Sequence, residues 1–526
     1  MDKKKVLIIG IDGATFDIVG PLVRKGALPN IARLMDSGAH GTLKATMPVL
    51  SPVSWTSFST GVDPGNHGIF DFLVRAEGTY DLTPAVSSRR LVKPVWKVAS
   101  ELGKKAVVLN VPATFPPDEV NGFMISGEPT PFHDERVVSP PGFFKELSDK
   151  FGKDCLVPPM FKHRRVSVED LVSSVSRWTD VALFAMQKLD WDLFTVVYTA
   201  SDTVQHFFWK DRDETHPGFK KGNPNEGAID TVFRKIDDSV GELVKAAGDG
   251  VEIVILSDHG FGPLSELVSL NKWLTEKGYL IIDEEKRKKT GGVGTFARVI
   301  LSKLGVIREL PPPLTLVGVD WSKTRVYFLG VSDAVYVNLK GREPQGIVNA
   351  GKEYDTLVDE VARELLNMRT PEGHKPIEAV FKGRDLYPNN PAAPDVFIKW
   401  ARGFGLLKEG APTGKFIQRL RKWNVNNWSG THEEDGVLVM SGPSVKKSSS
   451  KEAHIIDVAP TVYHLLGIEV PKKLDGRVLK ECLSDESLKR LAYADTESRQ
   501  DSSGGQTSEE DAKLVAERLK SLGYLE

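Results

Sequence analysis

The chain has 526 residues, which exceeds an ordinary domain of roughly 100–200 residues, so we expect one large α/β core that carries an insertion. Hydrophobic residues make up 40% and charged residues 27%, as in globular proteins, and the net charge of −2 excludes a global basic field for nucleic acid. Because Cys155 and Cys482 are the two cysteines, a disulfide framework and a thiolate metal site are disfavoured, and any metal needs histidine and carboxylate ligands.

The N-terminal apolar run is Val6–Ile11, and it ends at Asp12. It is shorter than the roughly 7–15 residues of a signal-peptide core, so a buried parallel strand explains it better. The sequence holds no apolar stretch of roughly 18 residues or more, and no membrane span is therefore expected. We expect a cytoplasmic protein; its oligomeric state is not predicted.

Similar apolar runs recur along the chain and alternate with helical patterns. One such pattern repeats with the period of a helix from Ile229 to Val244 and stops at Gly248 and Gly250. This alternation predicts an α/β fold, a three-layer sandwich with a mostly parallel central sheet, whose ligands bind at the carboxyl ends of the strands. The later strand-like runs are Ala106–Leu109, Leu193–Tyr198, Val251–Leu256 and Gly436–Met440.

The middle of the chain changes in composition, which suggests an inserted cap. We expect a metallo-phosphohydrolase core in residues 1–261 and 426–482, a cap that binds substrate in 262–425, and a C-terminal linker and short helix in 483–526. The apolar segment Phe296–Ile307 is interpreted as cap packing in preference to membrane contact. Other features of these regions are Glu284–Lys289, Gly291–Gly294, Pro311–Pro313, the basic segment Lys408–Lys422, the linker Asp501–Asp511 and the helix Ala512–Leu522.

Two of the strand-like runs are followed by side chains that could bind a metal. Asp12 directly follows the first run, although an aspartate there could equally cap a βα loop. Asp202 and His206 follow the run that ends at Tyr198, and their i, i+4 spacing places both on one face of a helix. The alternative for this pair is a helix N-cap and a surface histidine.

A carboxylate and two imidazoles complete the candidate set. Asp258 and His259 follow the run that ends at Leu256, and His432 precedes the strand-like run that begins at Gly436. Three aspartates and three histidines without cysteine suit two divalent ions such as zinc or manganese. Chance could place any one of them, but we interpret the set as a metal centre.

Hydroxyl groups crowd the segment after Met47. A metal-bound hydroxyl loses its proton more easily and can attack phosphorus. The segment also resembles a helix start near Ser54, and a helix N-terminus attracts phosphate. Spacing alone does not select the nucleophile from Ser51, Ser54, Thr56 and Ser57.

Taken together, these motifs resemble the alkaline phosphatase superfamily, in particular its nucleotide pyrophosphatase/phosphodiesterase-like branch and the prokaryotic phosphohydrolase/phosphomutase group. They follow the family's order and extend from about residue 6 to residue 467. The motifs are Ile9-Gly10-Ile11-Asp12-Gly13, Ser51-Pro52-Val53-Ser54-Trp55-Thr56-Ser57, Pro64-Gly65-Asn66-His67-Gly68-Ile69, Asp202-x-x-x-His206, Ser257-Asp258-His259-Gly260, Gly430-Thr431-His432 and Ile456-Asp457-Val458-Ala459-Pro460-Thr461.

The resemblance implies a metal-dependent phosphoric ester hydrolase that acts through a phosphoseryl intermediate on Ser51. Its implied partner is a small-molecule phosphate ester, and its implied cofactors are two divalent ions, zinc or manganese. The implied ligands are Asp202, His206 and His432 for one ion, and Asp12, Asp258, His259 and Ser51 for the other.

The sequence also departs from the family pattern. The branch usually has threonine as nucleophile, where this chain has Ser51, and a phosphate-binding asparagine, where this chain has Phe72. Pro52 follows the serine directly and no arginine is near, which disfavours a sulfatase. His67 is interpreted as a structural turn residue. The alternatives that remain are a phosphomutase of the same superfamily, a phosphomonoesterase, and a non-catalytic protein that retains the site.

Overall fold

The computed structural model describes residues 4–76, 78–156, 166–285, 316–330, 332–407, 416–419, 428–495 and 509–521. The chain forms two compact units. The first comprises residues 1–67, 86–263 and 422–506, and the second comprises 68–85, 264–421 and 507–526. The predictions on Gly291–Gly294, Phe296–Ile307 and Pro311–Pro313 lie wholly outside the described residues, and those on Glu284–Lys289, Lys408–Lys422 and Asp501–Asp511 lie partly outside them.

The strands are numbered in chain order. They are β1 (Val6–Ile11), β2 (Ala39–Lys44), β3 (Leu73–Arg75), β4 (Leu82–Pro84), β5 (Ala106–Val111), β6 (Gly122–Ser126), β7 (Val138–Ser139), β8 (Leu193–Tyr198), β9 (Glu252–Leu256), β10 (Gly260–Val268), β11 (Val326–Tyr327), β12 (Ala334–Val337), β13 (Ile377–Lys382), β14 (Val396–Trp400), β15 (Gly403–Leu406), β16 (Ile417–Arg419), β17 (Gly430–Glu433), β18 (Asp435–Ser441), β19 (Ser448–His454), β20 (Val470–Pro471) and β21 (Tyr493–Ala494).

The helices are numbered in the same way. They are α1 (Phe16–Arg24), α2 (Pro29–Ser37), α3 (Ser51–Thr60), α4 (Pro64–His67), α5 (Val95–Glu101), α6 (Gly142–Phe151), α7 (Val168–Lys188), α8 (Ala200–Arg212), α9 (Ala228–Ala247), α10 (Leu270–Glu276), α11 (Lys352–Leu366), α12 (Gly383–Leu386), α13 (Val458–Leu465), α14 (Asp485–Leu488) and α15 (Glu509–Ser521). Short 3₁₀ turns cover Ser87–Arg89, Glu135–Val137, Ile455–Asp457 and Lys480–Cys482.

The first unit is built on a nine-stranded sheet in the described part of the chain, in the order β19-β2-β18-β9-β1-β8-β5-β6-β7. Strands β9, β1, β8, β5 and β6 run parallel, whereas β18 lies antiparallel between β9 and β2. All six residues of β1 are buried because the strand has a sheet neighbour on both sides and helices on both faces.

Helices cover both faces of this sheet. On one face, residues of α3, α5 and α13 share a hydrophobic core with Val6 and Ile8 of β1. For the other helix layer, α7, α8 and α9 pack together, and α9 packs against β1. The predicted α/β sandwich with a mostly parallel sheet is therefore confirmed. The helix predicted from Ile229 to Val244 lies inside α9, which ends one residue before Gly248.

The second unit contains the antiparallel sheet β11-β12-β14-β13, against which α11 packs. Arg342 forms a bidentate ion pair with Asp395 in the interior of this unit, and Arg75 pairs with buried Glu343 at 2.6 Å. Each buried charge thus has a partner of opposite sign, which limits the cost of its desolvation. The division into a catalytic core and a substrate-binding cap stays a prediction.

The C-terminal helix α15 belongs to the second unit and packs against β4. It begins at Glu509, so residues 509–511, predicted as the end of a linker, are helical instead. Among the described residues no helix combines the length and apolar composition that crossing a membrane requires.

Candidate metal centre and nucleophile

Sheet topology brings four distant segments to one edge of the first unit. Strands β1, β8 and β9 are parallel neighbours, so Asp12, helix α8 and Asp258 follow strand ends at the same edge. Strand β18 runs in the opposite direction, so its beginning lies at that edge. His432 lies on β17, just before β18, and Phe261 of β10 pairs with it in register.

One group of possible metal ligands is formed by Asp202, His206 and His432. Nε2 of His206 lies 3.4 Å from Oδ1 of Asp202, and Nε2 of His432 lies 3.3 Å from the same oxygen. The two Nε2 atoms are 3.1 Å apart. Asp202 and His206 share one face of α8 because their i, i+4 spacing spans one helical turn.

A second group is adjacent to the first and shares Asp202 with it. Asp12, Asp202 and His259 place their ligand atoms within 4.8 Å of one another. Nε2 of His259 is 3.7 Å from Oδ1 of Asp12 and 3.1 Å from Oδ2 of Asp258. The structure thus brings together all six aspartate and histidine side chains that the sequence singled out: five of them form two adjoining groups that could hold metal, and Asp258 lies beside the second group.

The hydrogen bonds of the three histidines determine which nitrogen is free to bind an ion. Nδ1 of His206 faces the carbonyl oxygen of Gly430 at 2.9 Å, and Nδ1 of His259 faces the carbonyl oxygen of Gly260 at 3.0 Å. His432 makes the same contact with the carbonyl oxygen of Val49 at 3.2 Å. A carbonyl oxygen only accepts, so each Nδ1 carries the hydrogen, and Nε2 is the nitrogen of each ring that faces the centre and can bind an ion.

The carboxylates of the centre fit a cation for a second reason. Oδ1 of Asp12, Oδ1 of Asp202 and Oδ2 of Asp258 are buried and, among the described residues, accept no hydrogen bond of acceptable geometry. Buried carboxylate oxygens without donors are costly unless a positive charge compensates them. Asp/His groups of this kind could hold divalent metal ions.

The pKa directions record the same crowding of charge. Burial, followed by repulsion from Asp258 and Asp202, raises the pKa of Asp12 well above its usual value. Burial acts to raise the pKa of Asp202 too, but His206 and His432 outweigh it and hold that pKa below its usual range. A bound cation would stabilise the negative charge of Asp12, which burial and the neighbouring carboxylates disfavour.

Ser51 is the hydroxyl residue whose Oγ contacts this centre, at 3.2 Å from Nε2 of His259. Helix α3 begins at Ser51, three residues before the helix start predicted at Ser54, because a proline in the first turn needs no amide hydrogen. Oγ1 of Thr56 donates to a carbonyl one turn back, and Oγ of Ser57 lies 2.9 Å from a ring nitrogen of His67. These bonds already engage Thr56 and Ser57.

Sequence reasoning missed several residues that join the ligand segments. Ser201 donates to the carbonyl oxygen of Asp12 at 2.7 Å, and Nε2 of Gln205 donates to the carbonyl oxygen of Gly13 at 2.8 Å. The ring of Trp428 stacks on that of His206, with centroids 3.7 Å apart. Ser201 and Gln205 lie beside Asp202 and His206 in α8, which is a hint available in the sequence, but their partners are distant along the chain.

Two further residues of the sequence analysis lie elsewhere. His67 is fully buried and bonds Ser57, and the metal-capable groups of the described residues do not include it. Burial, assisted by the positive charge of Arg90, lowers the pKa of His67 to about 3, so its ring is neutral. Phe72 is a buried residue of the second unit.

Comparisons with solved structures reveal the same fold. Human ectonucleotide pyrophosphatase/phosphodiesterase 5 (ENPP5) aligns over 92% of this chain and 100% of its own, with a TM-score of 0.51 and 15% identity. Wild-type alkaline phosphatase PafA aligns over 92% of this chain and 99% of its own, with a TM-score of 0.54 and 14% identity. A mutant form of PafA aligns over 92% of this chain and 100% of its own, with a TM-score of 0.53 and 15% identity.

The sequence itself matches a family model. No curated protein is significantly similar to the chain in sequence. The model for type I phosphodiesterase/nucleotide pyrophosphatase, however, matches residues 6–422, which include most of the ligand segments and Ser51. This match, together with the fold, indicates a phosphoester hydrolase. The chain belongs to the type I phosphodiesterase/nucleotide pyrophosphatase family.

Proposed function

We propose that this protein is a two-metal phosphoric diester hydrolase in which Ser51 is the nucleophile. The observation that carries the proposal is the position of the Ser51 hydroxyl. Its Oγ lies 3.2 Å from Nε2 of His259, at the first residue of α3 and beside a cluster of three aspartates and three histidines, five of which are buried. A hydroxyl beside a ligand set and at a helix N-terminus is suited to attack a bound phosphate.

The ligands divide between two sites. Asp202, His206 and His432 hold one divalent ion, and Asp12, Asp258, His259 and Ser51 hold the other. Asp202 belongs to both groups of neighbouring ligand atoms, so it also helps to keep the two sites adjacent. When bound, the ions lower the pKa of hydroxyl groups and neutralise charge on the phosphate. Histidine and carboxylate ligands suit zinc or manganese.

The reaction proceeds in two displacements at phosphorus. Oγ of Ser51 forms a bond to phosphorus and loses its proton, while the bond from phosphorus to the leaving alkoxide breaks and the alkoxide takes up a proton. Water then attacks the phosphoseryl ester, which releases a phosphate monoester and restores the Ser51 hydroxyl. Helix α3 directs the positive end of its dipole at the reacting group, and burial of the centre excludes bulk water from its carboxylates.

Family membership supports the proposed substrate class, because the family is named for the cleavage of phosphodiesters and nucleotide pyrophosphates. We therefore expect a small-molecule diester or nucleotide-like substrate. Specificity lies in residues 262–425, the proposed cap, which contains most of the second unit. A cap that excludes water favours the return of the phosphoryl group to the substrate, as in a mutase, so the test must separate these reactions.

The test compares bis(p-nitrophenyl) phosphate with p-nitrophenyl phosphate, each with added Mn²⁺ or Zn²⁺ and with EDTA. A higher kcat/KM for the diester, lost with EDTA, is the expected result. Preference for the monoester would replace the proposal with a phosphomonoesterase. Isomerisation of a sugar phosphate without hydrolysis would make it a mutase, and bound metal without turnover of any ester would rule out an enzyme of this class.

A further inference from the structure

A buried indole connects the helix of Ser51 to the carboxylate of Asp12. Trp55 lies four residues after Ser51, one turn along α3, and its side chain is 1% exposed. Its Nε1 donates a hydrogen bond of 3.2 Å to Oδ2 of Asp12. The other oxygen, Oδ1, accepts no hydrogen bond among the described residues and faces His259 at 3.7 Å. The two oxygens of one carboxylate therefore have different surroundings.

The strand beneath this contact is shaped to admit the indole. Gly10 is the one residue of β1 without a side chain, and a Cβ atom built there would collide with Cη2 of the Trp55 ring. A glycine inside a buried strand weakens the strand, and it often marks the close approach of another group. Phe58 meets the Trp55 ring edge to face, with centroids 5.6 Å apart, which holds the ring in place.

We propose that Trp55 is a positioning residue that selects which oxygen of Asp12 faces the metal centre and holds the start of α3, with Ser51, at that centre. The inference rests on the proposed function, because it concerns the same site. With Oδ2 held by the indole, Oδ1 is the oxygen left for a cation. Without that hydrogen bond the carboxylate is free to rotate about its Cβ–Cγ bond. The link from Asp12 through Trp55 and one turn of α3 to Ser51 is then lost as well.

Such a contact has a measurable consequence for metal binding. Hydrogen bonds that orient a metal ligand commonly change metal affinity or activity by about 10- to 100-fold when they are removed. Trp55 touches no open surface, so its loss leaves substrate contacts unchanged. We therefore expect lower affinity for one ion, the ion next to Asp12, and a lower kcat with little change in KM.

The experiment uses Trp55→Phe, which keeps a buried aromatic ring and removes the N–H group. Its matched control is Trp96→Phe, because Trp96 is also fully buried and its Nε1 donates to Oδ2 of Asp118 at 2.9 Å, a carboxylate outside the metal-capable groups. Metal-free protein is titrated with Mn²⁺ in competition with a chromogenic chelator, and kcat and KM are measured on bis(p-nitrophenyl) phosphate at saturating metal.

The expected result is about a tenfold weaker Kd for one of two Mn²⁺ ions in Trp55→Phe, with kcat lower and KM unchanged, while Trp96→Phe keeps both values. Equal loss in the two variants would mean that only general packing is involved and would overturn the inference, as would wild-type binding in Trp55→Phe. If the wild-type protein neither binds two ions nor cleaves the ester, the proposed function fails instead, so the two failures are distinguishable.

Discussion

Nε2 of His206 and Nε2 of His432 lie 3.1 Å apart, although 226 positions separate the two residues in the chain. Both rings carry their hydrogen on Nδ1, which faces a backbone carbonyl, so the two lone pairs point toward each other and toward Asp202. Two lone pairs at this distance repel unless a positive charge lies near them. The close approach of the two nitrogens therefore strongly favours a bound cation at this position.

The role of Ser51 is tested by replacement with alanine. We expect Ser51→Ala to lower kcat by at least about a thousandfold, because no other oxygen replaces the attacking group, and to retain nearly all bound metal. Ser59→Ala is the control, since Ser59 lies on the same helix but donates to the carbonyl oxygen of Thr56. Turnover of the diester and metal content are the measurements. Retained activity in Ser51→Ala would exclude this residue as nucleophile, and a phosphoserine peptide from quenched wild-type enzyme would support it.

The division of ligands between two ions predicts unequal effects. His432→Ala should lower the affinity for the ion that Asp202 and His206 also bind by about 10- to 100-fold, and it should lower the affinity for the other ion less. His464→Ala is the control, because His464 is buried but bonds Ser487 away from the metal-capable groups. Chelator-competition titration of metal-free protein provides both affinities. Equal loss at both ions would show that the proposed division is wrong.

Removal of metal should inactivate the enzyme reversibly. Histidine and carboxylate ligands release their ions to a chelator, and binding in turn depends on ligand deprotonation. We expect EDTA to abolish diester cleavage and added Mn²⁺ or Zn²⁺ to restore it. Activity that is insensitive to EDTA after prolonged dialysis would contradict metal dependence.

Gly13 should tolerate no side chain. Its φ of +67° suits glycine, its amide donates to Oδ1 of Asp258 at 3.1 Å, and a Cβ atom would lie 2.9 Å from the ring of Phe261. Gly26 has a φ of +70° with no atom within 4 Å of such a Cβ, so Gly26→Ala measures the conformational cost alone. We expect about 1 kcal/mol of destabilisation for Gly26→Ala and more for Gly13→Ala, by urea unfolding. Weaker metal binding in Gly13→Ala alone is expected as well; equal effects in both variants would argue against crowding at the centre.

His67 should contribute to acid destabilisation. Burial, then the charge of Arg90, lowers its folded-state pKa to about 3 from an ordinary value of 6.5. The unfolded chain therefore binds more protons than the folded chain between these two pH values. The stabilisation that comes from keeping His67 neutral is complete above pH 6.5 and is lost as the pH falls toward 3. His67→Gln should reduce the slope of unfolding free energy against pH by up to one proton, about 1.4 kcal/mol per pH unit. Urea unfolding with EDTA at several pH values measures this slope, and an unchanged slope would contradict it.

The local elements were predictable because each depends on neighbouring residues. The predicted runs Val6–Ile11 and Leu193–Tyr198 coincide with β1 and β8, since uninterrupted apolar residues of this length form strands that are buried on both faces. The i, i+4 spacing of Asp202 and His206 likewise sufficed to place them on one helical face. The start of α3 was predicted too late because the hydroxyl-rich segment offers several possible N-caps.

The amino-acid sequence determined the α/β class, the family and the residue types that could bind metal, because periodicity, motif order and side-chain chemistry are local properties. Only the tertiary structure decided which atoms meet. The antiparallel direction of β18 brings His432 to the carboxyl ends of the parallel strands, and the indole of Trp55 on α3 reaches Asp12 just after the end of β1. Such contacts depend on strand order and direction, which no spacing along one chain specifies.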